Sequence, residues 1–297
     1  MVFFYCFIVN NLLSNPLFLP PKKEIKMKRI LLFTLAFSAG TTFAQSLKLE
    51  TGKKITSNTI NSVNMDMGMA GQMKIDGSTI SMIEVTGSDT KNYSAKTSIV
   101  KMKMSQEGMG QNVNFDSDKK EDRESDMGKE LGKMLDVAAS VTIDKNTGKV
   151  SEQNKKEVIT DNSNPMASLM GNSNSAEAAT AAAFFYIPNG KKIGDKWSDS
   201  LSEAGMKGLK TFELKSIVDN IATIAITTKS KGTISKEAQG MQFDITMDGT
   251  GNGEIIVDTK TFLVRKNTLS NDVNGTLDMM GQSMPLTIKS VATTVFE

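Results

Sequence analysis

The feature that most restricts this chain is a period of two. Met241, Phe243, Ile245 and Met247 alternate with Gln242, Asp244, Thr246 and Asp248. Val100, Met102 and Met104 alternate with Lys101 and Lys103, and Met65, Met67 and Met69 with Asn64, Asp66 and Gly68, before Met73 and Ile75 resume the pattern. Alternation with one polar face is what an antiparallel sheet with one solvated side requires. Turn signals separate the runs: Asn189-Gly190, Asp258 with Thr261, and the glycine-rich stretch Asp248 to Gly253. The expectation is a mainly β protein.

The chain also repeats itself. Gly52-Lys53-Lys54-Ile55 matches Gly190-Lys191-Lys192-Ile193, and Val141-Thr142-Ile143-Asp144 with Thr147 and Val150 matches Ile255-Ile256-Val257-Asp258 with Thr261 and Val264. This pattern predicts two tandem related β-units at 45–160 and 187–297. Each is expected to be an antiparallel, strongly curved sheet, half-barrel-like, with a few short helices. The two sheets are free to be separate or continuous. One helix is expected near 125–139, capped by Ser125 and presenting Met127, Leu131, Met134, Leu135 and Ala138 on one face. Residues 161–186 read as an Asn/Ser-rich linker and an Ala-rich helix running from near Ser175 to Phe184-Phe185-Tyr186, ended by Pro188.

The front of the chain reads as a targeting segment. From Met27, Lys28 and Arg29 precede the apolar run Ile30 to Phe37, and Thr42-Phe43-Ala44 places small residues before Gln45. This predicts a signal peptide at 27–44, cleaved after Ala44, and a periplasmic or secreted mature chain that does not span the membrane. Residues 1–26 read as an upstream extension from a wrongly assigned start codon. Residues 1–44 hold five basic residues (Lys22, Lys23, Lys26, Lys28, Arg29) and one acidic (Glu24), so the 35 basic and 33 acidic residues of the whole chain become 30 and 32. The basicity belongs to the leader. With Arg123 and Arg265 the only mature arginines, no nucleic-acid partner is expected.

Composition bears hardest on chemistry. The chain has no histidine, and Cys6 is its one cysteine. A Ser-His-Asp triad, an imidazole base, an imidazole metal site and a thiolate zinc cage are therefore excluded. The S-x-x-K pairs Ser88/Lys91 and Ser117/Lys120 lack a supporting motif, and Asp248 to Gly253 precedes a strand where a dinucleotide loop precedes a helix. The chain reads as no enzyme, with no cofactor. Asp144 and Asp258 each end a β-branched run, where a carboxylate caps a turn. The run Asp116 to Asp122 has lysines inside it and no loop glycine, so it reads as a solvated approach to a helix, not a calcium loop.

The methionines are the residual signal. The whole chain has 20, of which only Met1 and Met27 precede Gln45. Three readings stand for Met65, Met67, Met69, Met73, Met102, Met104, Met280 and Met284: adaptable core filler, a pliable surface for an apolar ligand or partner, or a soft thioether site for Cu(I). The function expected is a non-catalytic binding module for an apolar ligand or lipid in the cell envelope. The alternatives are a structural or protein-interaction module and a Met-based Cu(I) carrier. Oligomeric state is left open.

Several of these features together resemble one family. They are the leader ending in Ala44-Gln45, the turn Gly194-Asp195-Lys196-Trp197, the strand Gly253-Glu254-Ile255-Ile256-Val257-Asp258 and Met284-Pro285-Leu286-Thr287-Ile288-Lys289. The chain is similar over most of 46–297 to a Bacteroidota family of secreted proteins of unknown function. The resemblance implies an envelope location and a β-rich duplicated body, and it brings no site residues.

Overall fold

The computed structural model describes residues 46–152 and 176–297, apart from 109, 133, 136, 204, 239, 240 and 280. The leader, the upstream extension, most of the linker and Met280 lie outside the described residues. The described residues form one compact unit.

Its elements follow the alternation. Strands β1 (Lys54–Asp66), β2 (Gln72–Ser88), β3 (Asn92–Gly108) and β4 (Gln111–Asp116) lead to helices α1 (Lys120–Glu124) and α2 (Asp126–Gly132). Strands β5 (Ala139–Asp144) and β6 (Val150–Glu152) precede helix α3 (Ala176–Ala182). Then come β7 (Lys196–Glu203), β8 (Met206–Val218), β9 (Ile221–Ala238), β10 (Met241–Asp258), β11 (Val264–Met279) and β12 (Gln282–Phe296). All twelve belong to one antiparallel sheet, in the order β6-β5-β3-β2-β1-β12-β11-β10-β9-β8-β7, with β4 a side branch on β3. The sheet is continuous because β1 pairs with β12, from Ser57 opposite Phe296 to Asp66 opposite Thr287. Of the sequence motifs, Asp144 and Asp258 end β5 and β10, whereas the Gly-Lys-Lys-Ile segments differ: Ile55 lies within β1 and is fully buried, and Ile193 precedes β7 and is exposed.

This sheet curls. Val141 on β5 and Leu214 on β8 are both fully buried in one apolar cluster with Ile55, Ile83, Ile224 and Val257. Eight strand spacings separate β5 from β8, about 38 Å if the sheet were flat. Among the described residues the remaining cover is α3, seven residues long, the short stretch Ala183–Ile187 and the entering segment at Leu47 and Leu49. A seven-residue helix spans about 10 Å and cannot roof such a distance. The strands must bend round to roof one another, and α3 with Phe184 plugs the end they enclose. Phe184 bridges Leu263, and Val264 N–H donates to the Ala183 carbonyl at 2.9 Å. Tyr93 ties the entering segment to the same end, its hydroxyl donating to the Leu47 carbonyl at 3.0 Å and accepting from Leu49 N–H at 3.1 Å.

The second end is closed by a different cluster, Met65, Met67, Met73, Ile75, Phe243, Ile245 and Leu286, with Met104 and Met247 packed against it. A third, Ile99, Met102, Phe115 and Leu135 with Leu131, seats the segment after β4 on β3.

Four expectations are corrected. The stretch Asp248 to Gly253 is not a turn; it lies inside β10, paired residue by residue with β9 and β11. The helix expected near 125–139 is α2 alone: Ser125 Oγ does accept Gly128 N–H at 2.9 Å, but Leu135 instead bridges Ile99 on β3, while Met134 and Ala138 are exposed. The Ala-rich helix stops at Ala182, because Phe184–Tyr186 is drawn out beside β11, where Phe185 N–H bonds to the Phe262 carbonyl. Val100 does not alternate with Met102: a register shift opposite Ile80 and Ser81 leaves it bulged, and Ile99 and Met102 become the inward pair.

Candidate functional site

Paired residues of neighbouring strands share a face, so the registers give the inner surface row by row. One row runs Leu201, Gly208, Ser230, Gly249, Val273, Ile288, Met65 and Met73. The next is Asp199, Lys210, Thr228, Gly251, Asn271 and Ser290, continuing to Val63 and Ile75. Below it, Gly253, Leu269, Ala292, Asn61 and Gly77 give way to Asn267, Thr294, Thr59 and Thr79, and then to Ser57 and Ser81. The curled sheet thus has apolar clusters at its two ends and a waist of Gly, Ser, Thr and Asn between them. Most waist residues are half-buried, between the fully buried clusters and the solvated outer face.

Inner-face glycines let the strands bend this tightly. A Cβ on Gly253 would collide with the Thr268 carbonyl oxygen of β11, and one on Gly275 with the Thr246 carbonyl oxygen of β10. Gly251 differs: its closest obstacles are side-chain ends, Asn271 Oδ1 and Thr228 Oγ1, with the Ser270 carbonyl oxygen next at 3.0 Å.

The waist hydrogen bonds largely with itself. The Thr59 and Thr294 hydroxyls are 2.9 Å apart, and Asn271 Nδ2 donates to Ser290 Oγ at 3.4 Å. Two of its atoms are different. Ser57 Oγ and Asn267 Oδ1 are buried with no hydrogen-bond partner, and Ser57 is only 1% exposed. Leaving such a group unmet costs about 1–3 kcal/mol. Sequence reasoning missed both; the available signal was a polar residue at an inward parity position, Ser57 and Asn61 in the series Ile55, Val63, Met65.

The methionines divide. Met65, Met67 and Met73 are buried in the second-end cluster, which Met104 and Met247 flank, and Met102 is buried in the third. All four side chains are buried. Met69 sits at the tip of the β1–β2 connection, fully exposed, because Gly68–Ala70 forms a 3-10 turn that ends the alternation. Met284 is half-buried on β12. An open recess of about 470 Å³ is lined in part by Met65, Met73, Gln72 and Glu107.

The acidic candidates hold turns. Asp144 Oδ1 accepts from Thr147 Oγ1 at 2.9 Å and from the N–H groups of Thr147 and Asn146, which keeps its carboxyl below the usual range. At Asp258 burial opposes ionisation, but the N–H groups of Lys260 and Thr261 and the Arg265 guanidinium at 3.2 Å outweigh it, so its carboxyl is also lowered. In the run Asp116 to Asp122, Asp116 pairs with Lys103 at 2.9 Å and accepts Asp118 N–H, while Asp122 Oδ2 accepts Asp116 N–H at 2.7 Å. Among the described residues no group of three or more acidic or thiol side chains could hold a metal ion.

A carboxyl lowered in the folded state stabilises at pH above its unfolded value, and that contribution fades as pH falls through the folded value. Asp258→Ala is therefore expected to lose about 1–2 kcal/mol at pH 7. The gap from the parent should narrow below about pH 4, where an unfolded aspartate begins to protonate. Urea unfolding at stepped pH checks this; a gap constant from pH 7 to pH 3 would show that the carboxylate's charge plays no part.

The profile of a family of unknown function, DUF6263, matches residues 90–264, more than half of the chain. The chain belongs to this family. The DUF6263 match runs from just before β3 to the first residue of β11, and so takes in one end of each meander. No curated protein matches. Among solved structures, the chain is similar to lipovitellin in a study of lipid–protein interactions, with 11% identity and a TM-score of 0.47 over 84% of this chain and 25% of that one. The chain thus spans about a quarter of the lipovitellin chain it matches. It is also similar to OccK5 (OpdH) of Pseudomonas aeruginosa, at 6% identity and a TM-score of 0.26 over 83% of this chain and 99% of that one. OpdQ of the same organism gives 6% and 0.22 over 82% and 99%. Among the described residues no helix is long and apolar enough to cross a membrane.

Proposed function

We propose that this DUF6263 protein is exported, loses residues 1–44, and acts in the cell envelope as a non-catalytic binding module for a lipid-like molecule. One observation carries the reading. Leu201, Met206, Ile234 and Val273 all face inward, yet all are only half-buried, while Met247 and Leu277 beside them pack against the second-end cluster. Sheets of this size ordinarily bury their apolar face against a second layer. Here, among the described residues, the stretch of wall from β7 to β11 beside the second-end cluster is left for an apolar occupant to complete.

Native mass spectrometry of the protein recovered from its host envelope tests this. The expected result is a bound species of several hundred daltons that is lost on denaturation. A bare protein mass, with no uptake of added palmitate or monopalmitoylglycerol, overturns the reading. A second reading has its own observation: Met65, Met67, Met73, Met104 and Met247 meet in one cluster. An increment of one copper after Cu(I) loading would establish that reading instead.

A further inference from the structure

We infer that an open recess on the outer face of the sheet, across β8, β9 and β10, receives a phosphate group presented by a lipid head group, whatever the inner face holds. The recess is about 470 Å³ and is lined in part by Lys207 and Leu209 of β8, Lys229 and Lys231 of β9 and Asp248 of β10. All five are exposed and stand at outward positions of their strands. Lys207 lies directly opposite Lys231, and Leu209 opposite Lys229, so three lysines meet across one strand pair. Facing α-carbons are about 5 Å apart, and like charges so placed repel. Neighbouring glycines hold the two strands close at this point. A Cβ on Gly208 would meet the Lys229 carbonyl oxygen at 2.3 Å, and one on Gly232 the Gly205 carbonyl oxygen at 2.2 Å. Asp248 answers Lys231 at 3.9 Å, while among the described residues neither Lys207 nor Lys229 has an acidic partner. The recess beside Met65 and Met73 is unlike this one: Lys74 and Lys289 share it with Asp66 and Glu107, and Lys74 also pairs with Asp76 at 2.7 Å.

Charge selects the ligand. Three lysines against one aspartate leave the recess with two formal positive charges. A phosphate monoester carries about 1.5 to 2 negative charges at pH 7 and offers three acceptor oxygens. A carboxylate brings a single charge and would leave one lysine unanswered. Ammonium groups act as separate point charges, each able to meet its own phosphate oxygen. Leu209 indicates what carries the phosphate. It is 48% exposed directly beside the lysines. A soluble phosphate ester leaves that side chain in water, whereas the boundary between head groups and acyl chains in a bilayer takes it up.

Co-sedimentation of the purified protein with phosphatidylcholine vesicles, with and without phosphatidic acid, tests this. Binding is expected only where phosphatidic acid is present. Lys207→Gln/Lys231→Gln should bind about twentyfold more weakly, and Lys74→Gln/Lys289→Gln, which removes the same charge from the other recess, should stay within about twofold of the parent. Leu209→Ser should lose about fivefold, because a half-exposed leucine no longer leaves water on binding. The melting temperature of Lys207→Gln/Lys231→Gln should hold or rise, since a facing pair of like charges is removed, and weaker binding then cannot come from a damaged fold. Equal losses in the two double variants would mean that net charge alone drives binding, which overturns the site. Titration calorimetry with glycerol 3-phosphate separates the sources. Binding of that ester without binding to vesicles overturns the lipid, and failure of both probes overturns the phosphate site itself.

Discussion

Gly253→Ala is expected to cost about 3 kcal/mol, the upper part of the range for forced overpacking, although alanine is ordinarily the better strand residue. The single added carbon would meet the carbonyl oxygen and Cα of the neighbouring strand, at Thr268 and Leu269. Backbone cannot turn aside as a side chain can, so β10 and β11 must separate and the local curl must open. Gly275→Ala should behave alike, since its carbon meets the Thr246 carbonyl of the facing strand. Gly251→Ala is the control. It sits two residues away on the same face, but its nearest obstacles are the ends of Asn271 and Thr228, which can rotate, and the Ser270 carbonyl oxygen stands back at 3.0 Å, farther than the carbonyls that Gly253 and Gly275 would meet. It should lose less than about 1.5 kcal/mol. Urea unfolding midpoints would order the three. Equal and small effects would mean that the sheet is not bent as tightly as described, and that the glycines merely weaken a strand.

Ile83→Ala and Ile224→Ala are expected to cost about 3–4 kcal/mol each, as deletions of fully buried branched side chains, and to lower the same single transition. Ile83 lies on β2 and Ile224 on β9, five strands apart in the sheet order and in different meanders, yet both are fully buried in one cluster. If each meander held its own core, one substitution would weaken only one of two steps. Differential scanning calorimetry with tryptophan fluorescence decides between them, because Trp197 reports the β7–β8 edge, stacked on Phe212 at 5.6 Å. A fluorescence transition left unmoved by Ile83→Ala would show two independent folding units.

The alternation made the strands legible, because a half-buried strand must write its two faces into successive residues. It carried less information where the chain turned: Met65, Met67 and Met69 look continuous, yet Met69 lies beyond the strand end. The glycines of β10 misled for a physical reason. Glycine in sequence most often marks a break, whereas Gly249, Gly251 and Gly253 are there to admit neighbouring strands, a requirement visible only once the strands are placed. Pattern likewise extended the helix past Ala182, since Phe184 and Phe185 fit a helix face as well as a strand. The waist was the least legible part. Its polar residues come from strands distributed over nearly the whole chain, and only cross-strand register collects Ser57, Asn267 and Asn271 on one surface. The methionines were visible as a group, but their division among two clusters and an exposed tip depended on the same register.

The pairing of β1 with β12 has a consequence for how the molecule comes into being. A chain delivered amino end first presents β1, β2 and β3 long before the strand that covers the free side of β1 arrives, more than 200 residues later in the numbering. Until then β1 offers an unsatisfied ribbon edge, a template for any other extended segment. Closure of so distant a pair is slow by its topology. The nascent half-sheet should therefore be the stage at which this protein is most easily lost to intermolecular pairing, and a holding factor that masks one strand edge would do most for its yield.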